Sequence, residues 1–488
     1  MQKIIIKNFG AIEYAEIEIK KVLVLIGEQA SGKSTIAKLI YFFKSLRDDI
    51  FKKIYLDQES VTFSQFNDID QPLAKKFAAF FGSTSNLPDF EIRYYYNLEE
   101  EKYLNLSVDV KKIDSHILKK VKSKFSPNFF SNEFKTTISN IKVELNQNLN
   151  AIVIGSGEEF IQEQKKIQYI NKLRFKLIDL FNSRQTNLLF IIAGRNLTVS
   201  YSELFEKYLF TSVQDRLEQN RLEDSGFNPR TLTTNTIDEI LMLEFIERVI
   251  KIKNIFRRLQ SFDGVIKSAT EFAYDGDQYV HETQELNFIK KKLHEILKGE
   301  YIFDNLGEKI IVNSKMSVNI SNASSGQQDV IRLLQDIFIC IIERSQVLRI
   351  VEEPEAHLFP VAQKSLIELL ALMVNQKDDN QLIITTHSPY VLTVFNNLLF
   401  AQRVVDKNPS AEAEVAELIP KEFWLDPNEF SAYSLGNSSI EEEPEYCESI
   451  FNQQTGAIKQ NYLDAVSEML GGDFNALYSI YTKNSRRR

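Results

Sequence analysis

KVLVLIGEQASGKST, residues 21–35, joins a continuous apolar run to a glycine-rich turn and to the start of a helix-patterned segment. An apolar run without polar alternation is typical of a strand that is buried on both faces, as in a parallel sheet. The turn matches the pattern G-x-x-x-x-G-K-[ST] in full and stands between a strand and a helix, which is the context that the pattern requires. The stretch therefore predicts an α/β domain that carries a phosphate-binding loop.

The residue types in this loop suit a nucleoside triphosphate. Gly27 and Gly32 let the backbone curl so that successive N–H groups face the β-phosphate, and Lys33 neutralises the β- and γ-phosphate oxygens. The Ser34 hydroxyl completes the shell of a Mg²⁺ ion that keeps several waters. The predicted nucleotide-binding residues are Gly27, Glu28, Gln29, Ala30, Ser31, Gly32, Lys33, Ser34 and Thr35.

Strand-like and helix-like segments lie on both sides of the loop. KIIIKNF (3–9) and AEIEIK (15–20) predict a β-hairpin, and the range 90–110 predicts a second antiparallel pair. Further strand-like runs, separated by amphipathic helices, occur at 309–313, 347–353 and 382–387. The alternation of strand and helix indicates an α/β sheet.

The range between 112 and 300 is dominated by charged segments with helical period, clearest at 158–181 and 237–260, with a strand-like run at 187–196 between them. No long heptad run occurs, so we expect a short helical hairpin rather than an extended coiled coil. The predicted organisation is an N-terminal part of a head (1–110), a helical insertion or arm (111–300), a C-terminal part of the head (301–405) and a mostly helical extension (406–488) that ends in a helical pair at 457–481.

The composition limits the class of protein. Of 488 residues 43% are hydrophobic and 26% charged, and this length predicts more than one lobe. The net charge of −9 makes non-specific adhesion to nucleic acid unexpected. Cys340 and Cys447 are too few for a disulfide framework, and no apolar run suits a signal peptide or a membrane span. We therefore expect a cytoplasmic protein without a membrane partner.

Polar residues close the predicted strands at 347–353 and 382–387. Glu352 takes the place of the carboxylate that holds the Mg²⁺ water shell, and Glu353 lies where a carboxylate can polarise a water that attacks the γ-phosphate. The alternative is a solvated glutamate cluster. His387 can hydrogen-bond a γ-phosphate or can be a strand-end histidine held by backbone groups. No histidines have metal-ligand spacing, so a zinc site is not expected.

NASSGQQDVIRLLQDIF, residues 322–338, is an unusual start for an apolar, amphipathic helix because serines, a glycine and glutamines crowd its front. Such a start offers hydroxyls and free backbone N–H groups to an anion.

Taken in order, the phosphate loop, this helix start, the strand that ends in Glu-Glu-Pro and the strand that ends in Thr-His resemble the ATP-binding-cassette (ABC) ATPases of the AAA type. Within them the chain is similar to the RecF/SMC-like branch, and above all to ATPases of the overcoming-lysogenization-defect (OLD) type and of phage-defence systems such as PARIS and Septu. EEPEAHLFP (352–360) and THSPY (386–390) are typical of that group. The resemblance covers about 1–110 and 300–405.

The resemblance implies a fold and a set of roles. The fold is an α/β ABC-ATPase head, with a mixed or parallel sheet and an antiparallel β subdomain, that carries a helical, short coiled-coil-like insertion. The helix start is then a signature loop that binds the γ-phosphate of ATP held by a second copy, through Ser324, Ser325, Gly326 and Gln327. Two copies would meet head to tail around two ATP–Mg²⁺ complexes, as a dimer or a higher homo-oligomer. The implied catalytic residues are Glu353 and His387, and the implied Mg²⁺ ligands are Ser34, Glu352 and Gln65, with Gln58 as the alternative to Gln65.

The chain departs from the family pattern in places. Ser325 stands where a second glycine is usual, and AHLF (356–359) stands where an aspartate is usual, which weakens the expectation of direct coupling between the two sites. Arg195 follows a strand-like run, as a recurrent arginine of these relatives does, and is either functional or part of a structural ion pair.

Two functions remain open on this sequence. The first is the ATPase subunit of an anti-phage complex, a sensor or scaffold for a separate effector such as a nuclease encoded nearby. No D-x-D pattern and no histidine follow His387, so we expect no nuclease activity in this chain. The alternative is a DNA-repair or DNA-clamping ATPase with a basic stripe at 111–125 or 248–258, although lysine-rich helices are often only solvated faces. The long helical insertion excludes a transporter cassette.

Overall fold

The structure, a computed structural model, describes residues 1–56, 70–82, 88–113, 116–150, 158–185, 187–200, 237–271, 283–436 and 445–459. Within these ranges the largest sheet, here called the central sheet, has the strand order β14, β13, β3, β12, β11, β7. These strands span Cys447–Ser449, Phe430–Leu435, Val22–Gly27, Gln381–Thr386, Val347–Glu352 and Asn187–Ile191, respectively. All run parallel except the edge strand β14, which is antiparallel to β13.

Continuous apolar sequence explains the middle of the central sheet. Every residue of β11 and β12 is buried, as are the first four of β3, which confirms the parallel strand predicted at 21–27. Helix α1 (Lys33–Leu56) begins directly after the phosphate loop and packs against β3, β11 and β12. The loop is therefore fixed at both ends by the core of the head.

The antiparallel sheets have the alternation expected of strands with one buried face. One has the order β2 (Ile12–Ile19), β1 (Gln2–Phe9), β4 (Glu91–Asn97), β5 (Lys102–Ile113), β6 (His116–Phe125). The β1–β2 hairpin, with Lys3 opposite Glu18, confirms the hairpin predicted from 3–9 and 15–20. The β4–β5 pair confirms the antiparallel pair predicted at 90–110. Smaller sheets join β8 (Glu300–Asp304), β9 (Gly307–Asn313) and β10 (Met316–Asn319), and β15 (Phe451–Asn452) with β16 (Ala457–Ile458).

The remaining described helices cover the central sheet and form the insertion. They are α2 (Asp70–Phe81), α3 (Asn132–Asn150), α4 (Glu158–Phe181), α5 (Leu197–Ser200), α6 (Ile237–Leu259), α7 (Phe262–Glu271), α8 (Thr283–Leu297), α9 (Ser325–Ile342), α10 (Pro360–Asn375), α11 (Pro389–Lys407) and α12 (Glu412–Leu418). Helix α9 is almost wholly buried, because it packs against α5, α6, α8 and α10. Of the helices described, none is long and apolar enough to cross a membrane.

The insertion predicted as helical over 111–300 also contains strands. β6 completes the antiparallel sheet, and β7 extends the central sheet beside β11, with Asn187 opposite Val347. The strand-like pattern at 187–196 is thus confirmed over its first five residues, and this strand is part of the central sheet. The sequence on both sides of these strands has helical period, and the strands are too short for their own pattern to show where the helical segments end.

The extension predicted as mostly helical over 406–488 differs from that prediction in its described part. Strand β13 lies in the central sheet beside β3, with Leu435 opposite Gly27, and β14 continues beyond it. FSAYSL gives a weak apolar signal because it contains serines, yet it is buried, and Ser431 satisfies its hydroxyl by donating to the Glu18 carbonyl oxygen at 2.9 Å. Most of the helical pair predicted at 457–481 lies outside the described residues.

Candidate active site

The carboxyl ends of four adjacent parallel strands meet at one edge of the central sheet. In register, Ile26 of β3 lies opposite Thr386 of β12, and Thr385 lies opposite Glu352 of β11. β7 is the next strand and ends at Ile191. This edge is where ligands bind in open α/β sheets. The structure therefore brings the phosphate loop, the Glu352–Glu353 pair and His387 together, as the sequence order predicts.

The phosphate loop depends on glycine at two positions. Gly27 has φ 153° and Gly32 has φ 83°, and Ala30 between them is also left-handed at 63°. A Cβ atom at Gly27 would overlap the Leu435 carbonyl oxygen of β13, and one at Gly32 would lie 2.8 Å from the Ile12 side chain. The loop is thus shaped by close backbone approach as well as by backbone freedom.

Lys33 holds this loop closed from within. Its Nζ atom donates to the carbonyl oxygens of Gly27 and Glu28 at 2.9 and 2.7 Å, and it lies 3.3 Å from the Ser31 hydroxyl. Burial lowers the pKa of Lys33 to about 8, although the negative charges of Glu353, Glu355 and Glu28 oppose that shift. An anionic phosphate at this place would raise the pKa again, because it favours the charged form of the lysine.

The C-terminal part of the chain supports the loop, which the sequence did not reveal. The Tyr446 hydroxyl donates to the Ser31 carbonyl oxygen at 2.8 Å, and the turn at Gly436 leaves no room for a side chain against Ser31. Tyr446 stands more than four hundred residues from the loop, in an irregular acidic stretch. No local pattern could assign it to the site.

Replacing Tyr446 with phenylalanine should weaken ATP binding about 2- to 10-fold, since one hydrogen bond contributes roughly 0.5–1.5 kcal/mol. The loop would lose the donor that fixes the Ser31 carbonyl group while keeping the aromatic ring. A fluorescence titration with a labelled ATP analogue measures the change. Tyr433→Phe is the matched control, because the hydrogen bond that its hydroxyl makes is accepted from the Glu18 N–H at 2.9 Å and not from the loop. Equal losses in the two variants would contradict a specific role for Tyr446.

Among the residues that the structure describes, no cationic side chain pairs with the Glu352 carboxylate. It is buried, and its Oε2 atom accepts from the Ala193 N–H at 3.2 Å. No donor among the described residues reaches its buried Oε1 atom. An unpaired buried oxygen is costly, so a hydrated cation at this edge would satisfy it. The buried Glu352 oxygen fits a Mg²⁺ ion, which prefers oxygen ligands and keeps several of its waters.

Glu353 occupies a strained backbone position beside His387. Its φ is 43°, which costs a non-glycine residue of order 1 kcal/mol or more. Its N–H donates to the Thr385 carbonyl oxygen at 2.8 Å, and its carbonyl oxygen accepts from the Ala356 N–H at 3.0 Å. Its half-exposed carboxylate lies 3.5 Å from Nε2 of His387. The strain is therefore held by backbone bonds on both sides of the residue.

Glu355 is a further site residue that sequence reasoning missed. Its Oε1 atom accepts from the Thr386 hydroxyl at 2.6 Å and from the His387 N–H at 2.8 Å. It therefore ties the segment after β11 to the end of β12 and fixes the backbone that carries the imidazole. The signal was a third glutamate in the same motif, but the sequence does not say which of three neighbouring carboxylates faces inward.

The start of α9 is already organised within the chain. Ser324 is the N-cap, and its hydroxyl accepts from the Gln327 N–H at 3.3 Å, while Gln327 Oε1 accepts from the Ser324 N–H at 3.1 Å. The Gln327 amide also donates to the Leu297 carbonyl oxygen at 2.7 Å, so it is engaged within the chain. A Cβ atom at Gly326 would lie only 2.5 Å from the His357 carbonyl oxygen. Gly326 thus serves close packing, and the exposed groups are those of Ser324 and Ser325.

The structure describes Arg195 but neither candidate for the glutamine ligand of Mg²⁺. Arg195 is fully buried and forms an ion pair with Asp329 of α9 at 2.9 Å, which is the structural alternative that the sequence left open. Gln65 and its alternative Gln58 lie outside the described residues.

Comparison with known proteins gives a family match and distant structural similarities. A family model described as AAA ATPase domain matches residues 1–392. No curated protein matches the chain. The SMC head domain from Thermotoga maritima is 12% identical with a TM-score of 0.31, over 80% of this chain and 90% of that one. The Smc head domain of Pyrococcus furiosus, bound to the C-terminal domain of ScpA, is 15% identical with a TM-score of 0.28, over 81% and 92%. The recombination mediator protein RecF is 14% identical with a TM-score of 0.24, over 79% and 92%.

Proposed function

We propose that this chain, which belongs to the AAA ATPase domain family and is an ATPase, works as an ABC-type ATPase. Its nucleotide sites would be shared between two copies of the chain. The observation that carries the proposal is the meeting of Lys33, Glu353 and His387 beside the unpartnered Glu352 oxygen at one sheet edge. Lys33 would be the cation that binds the phosphates, and Glu352 would be a ligand of Mg²⁺. Glu353 and His387 would act on the attacking water and the γ-phosphate, so the four together supply the parts that phosphoryl transfer needs.

Each residue then has a defined role toward ATP. The loop N–H groups and Lys33 would bind the β- and γ-phosphates, and Ser34 and Glu352 would hold Mg²⁺, which neutralises charge on the phosphate oxygens when bound. Glu353 would accept a hydrogen bond from the attacking water and take its proton as the γ-phosphoryl group leaves ADP. His387 lies close enough to Glu353 to orient the same water or to hydrogen-bond the γ-phosphate. The products are ADP and phosphate.

A second copy is proposed to complete each site. Ser324 and Ser325 are exposed at the start of α9, where N–H groups lack carbonyl acceptors within the helix and only that of Gln327 is known to be taken up by the Ser324 hydroxyl. Large apolar side chains are also exposed in the two segments that follow the strand ends, with Phe359 77%, Val361 55% and Tyr390 55% exposed. Exposed apolar side chains next to a polar site are typical of a surface that another protein covers. A head-to-tail dimer around two ATP molecules would cover them.

For the biological role we propose the sensor or scaffold subunit of an anti-phage complex with a separate effector, such as a nuclease. The support is the resemblance of EEPEAHLFP (352–360) and THSPY (386–390) to that group. ATP occupancy would act as the switch, since a nucleotide that binds one assembly better than another shifts the population toward it. We expect no nuclease activity in this chain itself.

The test is mass spectrometry of what co-purifies with the Glu353→Gln protein, expressed with its native flanking genes in the presence of ATP–Mg²⁺. We expect a stoichiometric effector protein. Lys33→Ala is the matched control, because it removes the phosphate cation and should neither hold ATP nor retain an ATP-dependent partner. A clean preparation with bound DNA and no protein partner would overturn the defence role.

That last outcome would favour the second candidate, a DNA-clamping ATPase, which one observation supports. Lys120, Lys122 and Lys124 are exposed on one face of the edge strand β6. Three lysines in a row suit a phosphate backbone, although lysines also protect edge strands from aggregation. The other predicted basic stripe, at 248–258, is broken, because Arg248 pairs with the buried Asp336 and Lys253 is buried.

A further inference from the structure

The loop that follows β7 reaches both α9 and the acidic end of β11. Arg195 in this loop is 0% exposed. Its Nη1 atom donates to the Glu352 carbonyl oxygen at 2.6 Å, and its Nη2 atom donates to the Glu353 carbonyl oxygen at 3.0 Å and to Asp329 Oδ2 at 2.9 Å. A guanidinium group presents its donors in a fixed planar fork, so one side chain sets the relative positions of all three acceptors.

Asp329 is the acceptor on the helix side. It is 1% exposed and lies in the second turn of α9, five residues after the N-cap Ser324. Its second oxygen accepts from the Asn196 N–H at 3.2 Å, so the carboxylate is held by two donors from the same loop. The Ala193 N–H of this loop also binds the Glu352 side chain. The helix start and the strand end are therefore linked through one short segment.

The strand side of this link is the strained residue. Glu353 has a left-handed backbone, and such a conformation persists only when its surroundings fix it. Its carbonyl oxygen receives the charged Arg195 donor in addition to the Ala356 N–H. The Glu352 and Glu353 carbonyl groups belong to the two peptide units on either side of the Glu353 Cα atom, so holding both fixes the direction in which its side chain leaves the backbone beside His387. Arg195 thus contributes to the orientation of the carboxylate without touching it.

We propose that Arg195 is a positioning residue that orients Glu353 and couples that orientation to the position of α9. A shift of the exposed start of α9 would move Asp329, and the guanidinium group would transmit the shift to the Glu352–Glu353 backbone. Contact of the helix start with a ligand would thereby alter the geometry of hydrolysis at the strand end. The inference rests on the proposed function, because it takes Glu353 as the group that polarises water.

The pair differs from the other buried ion pairs of α9. Arg332 pairs with Glu308 of β9, and Asp336 pairs with Arg349 of β11 at 2.6 Å. Among the described residues, neither of these pairs donates a hydrogen bond to the backbone of Glu352 or Glu353. Arg332 is therefore a matched control for Arg195, with the same residue type, similar burial and an acidic partner on a different element.

The experiment compares Arg195→Lys with Arg332→Lys and the unaltered protein. Lysine keeps the positive charge of arginine but not its planar fork of donors. Arg195→Lys should therefore lower kcat about 10- to 100-fold, because small misplacements of reacting groups have effects of this size. KM and ATP affinity should stay unchanged within about twofold. Arg332→Lys should lower the melting temperature to a similar extent with kcat near normal. The inference would be overturned if kcat fell in both variants in proportion to the fall in melting temperature. It would also be overturned if Arg195→Lys had a normal kcat.

Two further variants keep the outcome interpretable. Glu353→Gln tests the premise separately, because normal ATP hydrolysis by this variant would contradict the proposed role of Glu353. An inactive Glu353→Gln beside a normal Arg195→Lys would contradict only the role of Arg195. If Arg195→Lys does not fold, Asp329→Asn decides, because it preserves the shape but leaves one acceptor oxygen for the two loop donors and so weakens the link between the loop and α9. A reduced kcat at unchanged KM supports the coupling, and an unchanged kcat contradicts it.

Discussion

Replacing Glu353 with glutamine should lower kcat for ATP hydrolysis about 10²- to 10⁴-fold, the range that a positioned general base contributes, while ATP still binds. An amide has nearly the shape of the carboxylate but cannot take a proton from the attacking water. The backbone bonds that hold the residue in its left-handed conformation do not involve the side chain, so they survive the change. The measurement is phosphate release at saturating ATP–Mg²⁺, together with a binding titration.

Glu28→Gln is the control for this variant. The carboxylates of both Glu353 and Glu28 raise the pKa of Lys33 against the effect of burial, so both substitutions remove negative charge near the lysine. Only Glu353→Gln should stall after binding ATP. If the two variants slow hydrolysis equally, the effect is one of charge near the phosphates and not of water polarisation. If Glu353→Gln works at the normal rate, another group activates the water.

The parts of the site that the sequence predicted are those in which chemistry follows local structure. The phosphate loop needs a strand, a glycine turn and a helix in direct succession, and all three occur within residues 21–35. Glu352 and Glu353 close an apolar strand in the same way, and His387 closes the next. Because parallel strands place their carboxyl ends at one sheet edge, the order of these segments along the chain predicts their meeting in space.

The parts that could not be predicted depend on partners that are distant along the chain. Tyr446 and β13 reach the phosphate loop from beyond residue 429, and the pairing of Leu435 with Gly27 has no trace in either local sequence. The sequence marks Arg195 as a candidate, but only the structure identifies Asp329 and the two backbone carbonyl groups as its partners. Polar side chains choose partners through three-dimensional packing, which hydrophobic periodicity does not encode.

The start of α9 carries a local signal of its own in the sequence. Ser324 and Gln327 have the spacing of a capping box, in which the side chains at the N-cap and three residues later satisfy each other's backbone N–H groups. The structure contains this arrangement. The Gln327 amide, assigned by resemblance to a partner's nucleotide, is therefore engaged at the start of its own helix, and its predicted role would require these bonds to rearrange.

Ser324→Arg should abolish detectable hydrolysis while each chain still binds ATP, if the start of α9 serves the site of a second copy. An arginine would fill the exposed helix start with a bulky side chain, whereas Lys33, Ser34 and Glu352 would remain intact. Loss of the N-cap costs about 1 kcal/mol, so stability must be controlled. Ser131→Arg is the matched control, because this exposed serine caps α3 by accepting from the Phe134 N–H at 3.1 Å. It should retain hydrolysis.

Mixing two inactive variants separates action in trans from action within one chain. In a head-to-tail dimer of Ser324→Arg with Glu353→Gln, one site combines an intact phosphate loop and Glu353 from the first chain with an intact Ser324 from the second. An equal mixture should therefore recover about a quarter of normal hydrolysis, because roughly half of the dimers are mixed and each has one complete site. If Ser324 acted within its own chain, no combination would rebuild a site and the mixture would stay inactive. Normal hydrolysis by Ser324→Arg alone would remove the helix start from the reaction altogether.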